Sequence, residues 1–162
     1  MAAVVIGADS VSYPQTVARE LGFRLIPCPI ILEGKTYLDT EVDMDRVYAS
    51  LDSKENLPKT STANVEDFLR YFKEVGHGKD ILHISMSSLF SIQYKNALQA
   101  REIAPRGARI EVVDSRSIGI GVHLIAIVAA QAARMGETLD EVLSVVNVIT
   151  PRVVSFAARD TL

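Results

Sequence analysis

Apolar positions in this chain come in short blocks whose period changes along the sequence. Ala3 to Ala8 is a continuous apolar, β-branched run closed by Asp9 and Ser10, the pattern of a central strand with a polar tip. Pro14 suits the first turn of a helix reaching about Leu21, and Gly22 stops it. Phe23 to Leu32 is strand-like again but is interrupted by Pro27 and Pro29. Proline lacks the N–H a ladder needs, so this run predicts an edge strand or an extended connector. Glu33-Gly34-Lys35 reads as a turn and Thr36 to Leu38 as a short return strand.

The period then becomes helical. Asp43 to Leu51 is a helix with Asp43 as N-cap and Met44, Val47, Tyr48 and Leu51 on one face. Asp52 to Ala63 is the most polar connection in the chain and reads as a surface loop carrying Lys59, Thr60, Ser61 and Thr62. Asn64 caps the next helix, whose buried stripe is Val65, Phe68, Leu69 and Phe72; Gly76 to Asp80 turns the chain back. Arg109 to Val113 is a strand ending at Asp114-Ser115, followed by a long apolar helix from about Ile118 to Met135, closed by Gly136. Thr138 with Glu141 three residues on is a capping box for a helix to Val148, and Arg152 to Ala158 reads as a last strand.

Ile81 to Tyr94 combines both periods. An apolar run ends in Ser85, Ser87, Ser88 and Ser91, and a helix follows with Tyr94, Ala97, Leu98 and Arg101 three or four apart. The first N–H groups of a helix lack partners within it and carry the positive end of its dipole. Hydroxyls gathered there can seat a phosphate or a carboxylate; the plainer role for any one of them is a helix cap. Strands read as continuous apolar runs alternating with helices, which predicts an α/β domain with a mainly parallel sheet and helices on both faces. Three strand tips are polar: Asp9-Ser10, Ser85 to Ser88, and Asp114-Ser115. Ligands bind beyond the carboxyl ends of such strands, so the tips are expected to line one crevice.

Composition narrows the choices. A chain of 162 residues, 48% hydrophobic, is enough for one compact domain with a sizeable core. A net charge of −3 with scattered basic residues gives no footprint for nucleic acid. The single cysteine, Cys28, excludes an internal disulfide, fits a reducing, cytoplasmic setting, and reads as a small core residue. The amino terminus has no basic region or cleavage pattern of a signal peptide, and the longest apolar segment falls short of the roughly 20 residues of a span. His77, His83 and His123 have no metal-like spacing, so no metal and no cofactor are expected. Gly119 and Gly121 lack the third glycine of a dinucleotide loop; helix packing is the better account of both. Ser87, His83 and Asp114 supply the residue types of a hydrolase, but the nucleophile elbow is absent and a mid-strand histidine faces a layer.

Asp9-Ser10, Gly34-Lys35-Thr36-Tyr37-Leu38-Asp39, Pro58-Lys59-Thr60-Ser61, Ser87-Ser88-Leu89-Phe90-Ser91 and Asp114-Ser115 occur in that order. Together they resemble the DegV family of bacterial fatty-acid-binding proteins, over the whole chain. The resemblance implies a Rossmann-like three-layer fold and a binding protein, not an enzyme. The ligand it implies is a long-chain fatty acid, which some members present to a fatty acid kinase. The family's carboxylate-binding hydroxyls correspond to Thr60 and Ser91, and Ser61, Ser87, Ser88, Asp9, Ser10, Asp114 and Ser115 complete the expected site. Where the family reads Ser-Gly-Thr-Tyr, this chain has Ser91, Ile92, Gln93 and Tyr94, a bulkier helix start in which Gln93 can still donate. Members usually continue into a second domain that closes the lipid site, so residues 1–162 resemble the N-terminal domain alone, with an exposed apolar face favouring self-association. Two other readings stand beside this one: a serine hydrolase or phosphoryl-transfer domain using the same crevice, and a fragment that binds nothing.

Overall fold

The computed structural model describes residues 4–11, 13–51 and 57–156. Its centre is a four-stranded parallel sheet in the order β2-β1-β6-β7, formed by β1 (Val4–Asp9), β2 (Phe23–Ile26), β6 (Asp80–Ser85) and β7 (Ile110–Asp114). β1 pairs with β2 from Ile6↔Phe23 to Asp9↔Ile26 and with β6 from Val4↔Asp80 to Ala8↔Ile84. Both strands flanking β1 are reached by crossovers on opposite sides, so the strand order reverses between β1 and β6. That reversal is where an open parallel sheet leaves a crevice.

Helices cover both faces. On one face, α5 (Ile120–Arg134) and α6 (Leu139–Ile149) pack with α1 (Gln15–Leu21) on Val4, Ile6, Phe23, Leu82 and Ile84. On the other, α3 (Val65–Gly76) and α4 (Gln93–Ile103) pack on Ile26, Ile81 and Val112 through Phe68, Phe72, Ala97 and Ala100. The alanine-rich face of α5, with Ala126, Ala129, Ala130 and Ala133 all buried, lets that helix lie close to the sheet. Caps fall where polar residues precede each apolar stripe. Asn64 with Asp67 and Thr138 with Glu141 form reciprocal capping boxes, and Asp43 accepts from the Asp45 N–H at the start of α2 (Met44–Ser50).

The expected turn and return strand at 33–38 belong to a second, antiparallel sheet. β3 (Pro29–Leu32) pairs with β4 (Lys35–Leu38) and with β5 (Lys59–Thr60), giving the order β4-β3-β5. The run from Phe23 to Leu32 is therefore two strands in two sheets, with Pro27 and Cys28 as the crossing. Proline at the break costs no ladder bond there. Glu33 at φ 52° and Gly34 at φ 75° make the tight left-handed turn a two-residue hairpin needs. Lys59 and Thr60, expected in a loop, pair with Ile31 and Ile30.

Three other expectations change. Gly119 has open space where a Cβ would stand; its φ of 55° and ψ of −133° at the head of α5 require glycine, so packing does not explain it. Gly121 does fit the packing account, because a Cβ there would meet the hydroxyls of Ser117 and Ser155. Instead of a last strand, Thr150–Arg152 is a 3-10 helix started by Pro151, and 153–156 run on without strand pairing. The start of the first predicted strand at Ala3, the loop from Asp52 to Asn56, and Ala157 to Leu162 lie outside the described residues.

Candidate ligand-binding site

Beyond the carboxyl ends of β1, β2 and β6 lies a cavity of about 390 Å³, at the low end of the roughly 300–1,000 Å³ usual for small-molecule sites. The second sheet supplies one wall, with Ile30, Asp39, Thr60, Ser61 and Thr62; the loop leading into α4 supplies the other, with Phe90, Ser91, Ile92 and Gln93. Val11 and Met86, which follow β1 and β6, form the floor at the reversal of strand order. Thr60 and Ser91, distant in sequence, therefore face one space.

Local hydrogen bonds fix the chain around both. The Ser91 Oγ accepts the Gln93 N–H at 3.2 Å, which turns the hydroxyl hydrogen away from the helix start. Ile92, at the N-cap position of α4, offers no side-chain cap. Thr60 stands on a strand fixed by its pairing with Ile30, and the Ser61 N–H donates to Pro29 O at 2.8 Å. Asp39 is clamped behind the cavity: it accepts the Cys28 N–H at 2.9 Å and the Ser10 hydroxyl, while its own N–H donates to Cys28 O. Cys28 lies between, its thiol pointing to Gln93 Oε1 at 3.4 Å. Burial, with the Asp9 and Asp39 carboxylates nearby, pushes that thiol up to about 12. It is a protonated wall residue, not a nucleophile.

The other predicted site residues do not line this cavity, so the three polar strand tips do not share one crevice as expected. Asp9 is fully buried: it accepts from Ser85 Oγ at 2.9 Å and from the Met86 N–H at 2.7 Å, and faces His83 Nε2 at 3.0 Å. Ser10 donates only to Asp39 and accepts from the Cys28 N–H. Ser87 is buried and organises its own turn, its carbonyl accepting from Phe90 and Ser91 and its hydroxyl from Leu89. Ser88 donates to Asp114, which also accepts the Arg116 N–H, and Ser115 closes a turn with Ser117. Six of the expected site residues thus hold the strand tips in shape. The helix begins at Gln93, so Ser87 and Ser88 precede its first turn instead of standing on it.

The hydrolase geometry is not assembled, since His83 is turned to Asp9 within the sheet and Asp114 to Ser88. Among the described residues no three or more histidine, cysteine, aspartate or glutamate side chains gather as metal ligands, and no helix is long and apolar enough to cross a membrane. His123, packed beside Tyr13 and Phe23, has its pKa lowered by burial and directs Nε2 at Asp9 O, 3.0 Å away.

Sequence reasoning missed Val11, Cys28, Asp39 and Met86 as cavity residues. Val11 carried one overlooked signal: a β-branched residue after a strand tip, held here at φ 43°. That left-handed conformation costs about 1–3 kcal/mol and recurs where a site fixes the backbone. Val11 and Met86 also border a second, shallower depression of about 650 Å³, lined by Ile118, Ile120, Leu124, Val154 and Phe156. An apolar track therefore runs from the hydroxyl corner across Val11 and Met86 to the outer face of α5.

Comparison with known proteins agrees with this architecture. A DegV domain-containing protein of Caldanaerobacter subterraneus subsp. tengcongensis is 29% identical over 165 residues, spanning 100% of this chain and 58% of that protein. Among solved structures, a DegV family protein from Thermus thermophilus, described for its fatty acid binding, superposes with a TM-score of 0.80 at 26% identity. The match covers 91% of this chain and 53% of that one. A Thermotoga maritima protein described as revealing fatty acid binding function matches at TM-score 0.76 and 28% identity, over 91% and 55% of the two chains. The chain thus spans little more than half the length of the relatives it matches. The family described as "Uncharacterised protein, DegV family" matches residues 3–162, and the chain belongs to the DegV family.

Proposed function

We propose that this chain binds a long-chain fatty acid, with Thr60, Ser61 and Ser91 holding the carboxylate and the tail lying along Val11 and Met86 toward the outer face of α5. The observation that carries this reading is the meeting of hydroxyl groups and an apolar track in one crevice. The described relatives from Thermus thermophilus and Thermotoga maritima support the ligand class. Asp9, Ser10, Ser87, Ser88, Asp114 and Ser115 serve as the frame that keeps the corner in shape.

Magnitudes assign different roles to the two ends. A 16-carbon tail offers about 14 methylenes, and full burial at about 0.8 kcal/mol each gives roughly 11 kcal/mol gross. A hydrogen bond to a charged group nets roughly 1.5–3 kcal/mol. The tail therefore supplies affinity, and the hydroxyls orient the head. The track is open on the α5 side, so this chain alone buries part of the tail. In this reading the remaining length found in relatives completes the cover. Presentation of the head group to a fatty acid kinase rests on the family resemblance alone.

The test is to incubate the purified chain with a mixed fatty-acid pool, re-purify it, extract it and analyse the extract by mass spectrometry. Retention of acyl chains is expected, and an empty extract overturns the reading. Thr60→Val combined with Ser91→Ala should weaken binding by about tenfold to a hundredfold while leaving the circular dichroism spectrum unchanged.

A further inference from the structure

The geometry points to Gln93 as a dedicated head-group ligand: its side-chain Nε2 donates to an oxygen of the bound acid, beside the hydroxyls of Thr60 and Ser91. The inference rests on the fatty-acid reading above and adds a residue and a chemical preference to it.

Gln93 is the first residue of α4, is 1% exposed and lines the cavity. Its amide orientation is fixed by two donors. The Ala63 N–H donates to Oε1 at 3.1 Å and the Cys28 thiol donates to it at 3.4 Å. A peptide N–H can only donate, and Cys28 keeps its proton. Flipping the amide would set an NH2 group against two donors, so the oxygen must stay where it is. Nε2 is thereby turned the other way with two hydrogens, and among the described residues it has no partner. Burying such a group unpaired is unfavourable, and folded proteins rarely leave one so. The other two buried side-chain nitrogens without a partner are His83 Nδ1 and His123 Nδ1, and neither histidine lines the cavity. Gln93 is the one that combines an unused donor with a lining position.

Ala63 adds a second reason for the placement. Its N–H is held by Gln93 and its carbonyl accepts from Asn96 Nδ2 at 2.8 Å, so one turn of α4 grips the backbone just after Thr62. Gln93 therefore ties the Ala63 backbone, next to the Thr60–Thr62 wall, to the start of α4 next to Ser91, and its unpaired Nε2 lies buried at this junction. Among the described lining residues none is lysine, arginine or histidine. The donors of this seat are neutral: three kinds of group, threonine hydroxyl, serine hydroxyl and carboxamide. The donor-only Nε2 demands an acceptor, and both oxygens of a carboxylate are acceptors.

Gln93→Glu is the diagnostic variant. It keeps an oxygen for the Ala63 N–H and nearly the same shape, but its carboxylate also sets a negative charge against the acid's own, so the uncharged Gln93→Met, which removes the donor without adding charge, is measured beside it and should show the loss as well. Palmitate affinity of the 162-residue chain should fall by about tenfold or more. Equal affinity in the wild-type and Gln93→Met proteins overturns the inference while leaving the fatty-acid reading standing. A wild-type chain that retains no fatty acid overturns both. Should the variant fail to fold, the wild-type protein decides the matter by NMR. On titration with palmitate, the Gln93 side-chain NH2 resonances should shift and exchange more slowly with solvent. If they stay unmoved while the backbone around Thr60 shifts, Gln93 is only a structural tie and the inference fails.

Discussion

Cys28 shows how closely single residues at this site depend on one another. Its sulfur touches Gln93, its N–H is held by Asp39, and burial and the two carboxylates keep its proton in place far above the ordinary value of 9.0. Tyr71, buried and donating to Arg24 O, is raised in the same direction from 10.0. A group whose folded pKa is raised contributes fully below its unfolded value and loses that contribution as pH climbs toward the folded one. These two groups therefore leave stability unchanged up to about pH 9 and make it decline above, with Cys28 contributing at most about 1.4 kcal/mol per pH unit. Urea midpoints at pH 8 and pH 10.5 should show the decline, and it should be shallower in Cys28→Ala. At this scale the order of short motifs singled out Thr60 and Ser91 as candidates, and both line the cavity. It did not disclose Asp39 or Cys28, because their place beside the cavity depends on a hairpin folding back over the strand tips. The excess of serines misled for a related reason: Ser87 and Ser88 satisfy the backbone and Asp114 of their own turn, and hydroxyl count alone cannot tell a turn-former from a ligand.

Among the elements, helices were the most legible because their ends carry chemistry of their own. Asn64 and Thr138 each sit three residues before an acidic partner that returns the hydrogen bond. Removing either cap should cost about 1 kcal/mol in chemical denaturation. Their effects on binding should diverge. Asn64 follows directly on Ala63, which α4 grips beside the cavity, so Asn64→Ala should also weaken fatty-acid affinity. Thr138→Ala, on the α6 side of the sheet, should change stability alone. The short strands were less legible. β5 has only two residues, fewer than any alternation can reveal, and the final segment around Pro151 is apolar enough to imitate a strand although it turns as a 3-10 helix.

For the molecule as a whole, the face at the carboxyl end of the sheet is unusually greasy. Phe90, Ile92, Ile120, Leu124 and Val154 are exposed there, and Phe156 is 93% exposed. Large apolar patches of this kind mark places where something docks. The isolated chain should bind a hydrophobic fluorescent dye and self-associate as its concentration rises in sedimentation experiments. Phe156→Asp with Leu124→Asp should reduce both, with folding stability changed by no more than about 0.5 kcal/mol. The α/β class and the two helical layers could be foreseen from runs and periods. The antiparallel annex was foreseen only as the turn and return strand of its hairpin; β5 comes from a distant stretch, and its joining is a tertiary meeting that no local pattern shows.

That annex has a consequence for how a ligand comes and goes. The strand bearing Thr60 is tied to its neighbour at just two register positions, Ile30↔Thr60 and Ile31↔Lys59, whereas β1 is zipped on both sides within the core. The lip can breathe while the centre stays shut. Deuterium should enter the amides of 59–62 early in the empty protein and much later once an acid is bound. β1 and β6 should take it up only when the entire domain opens.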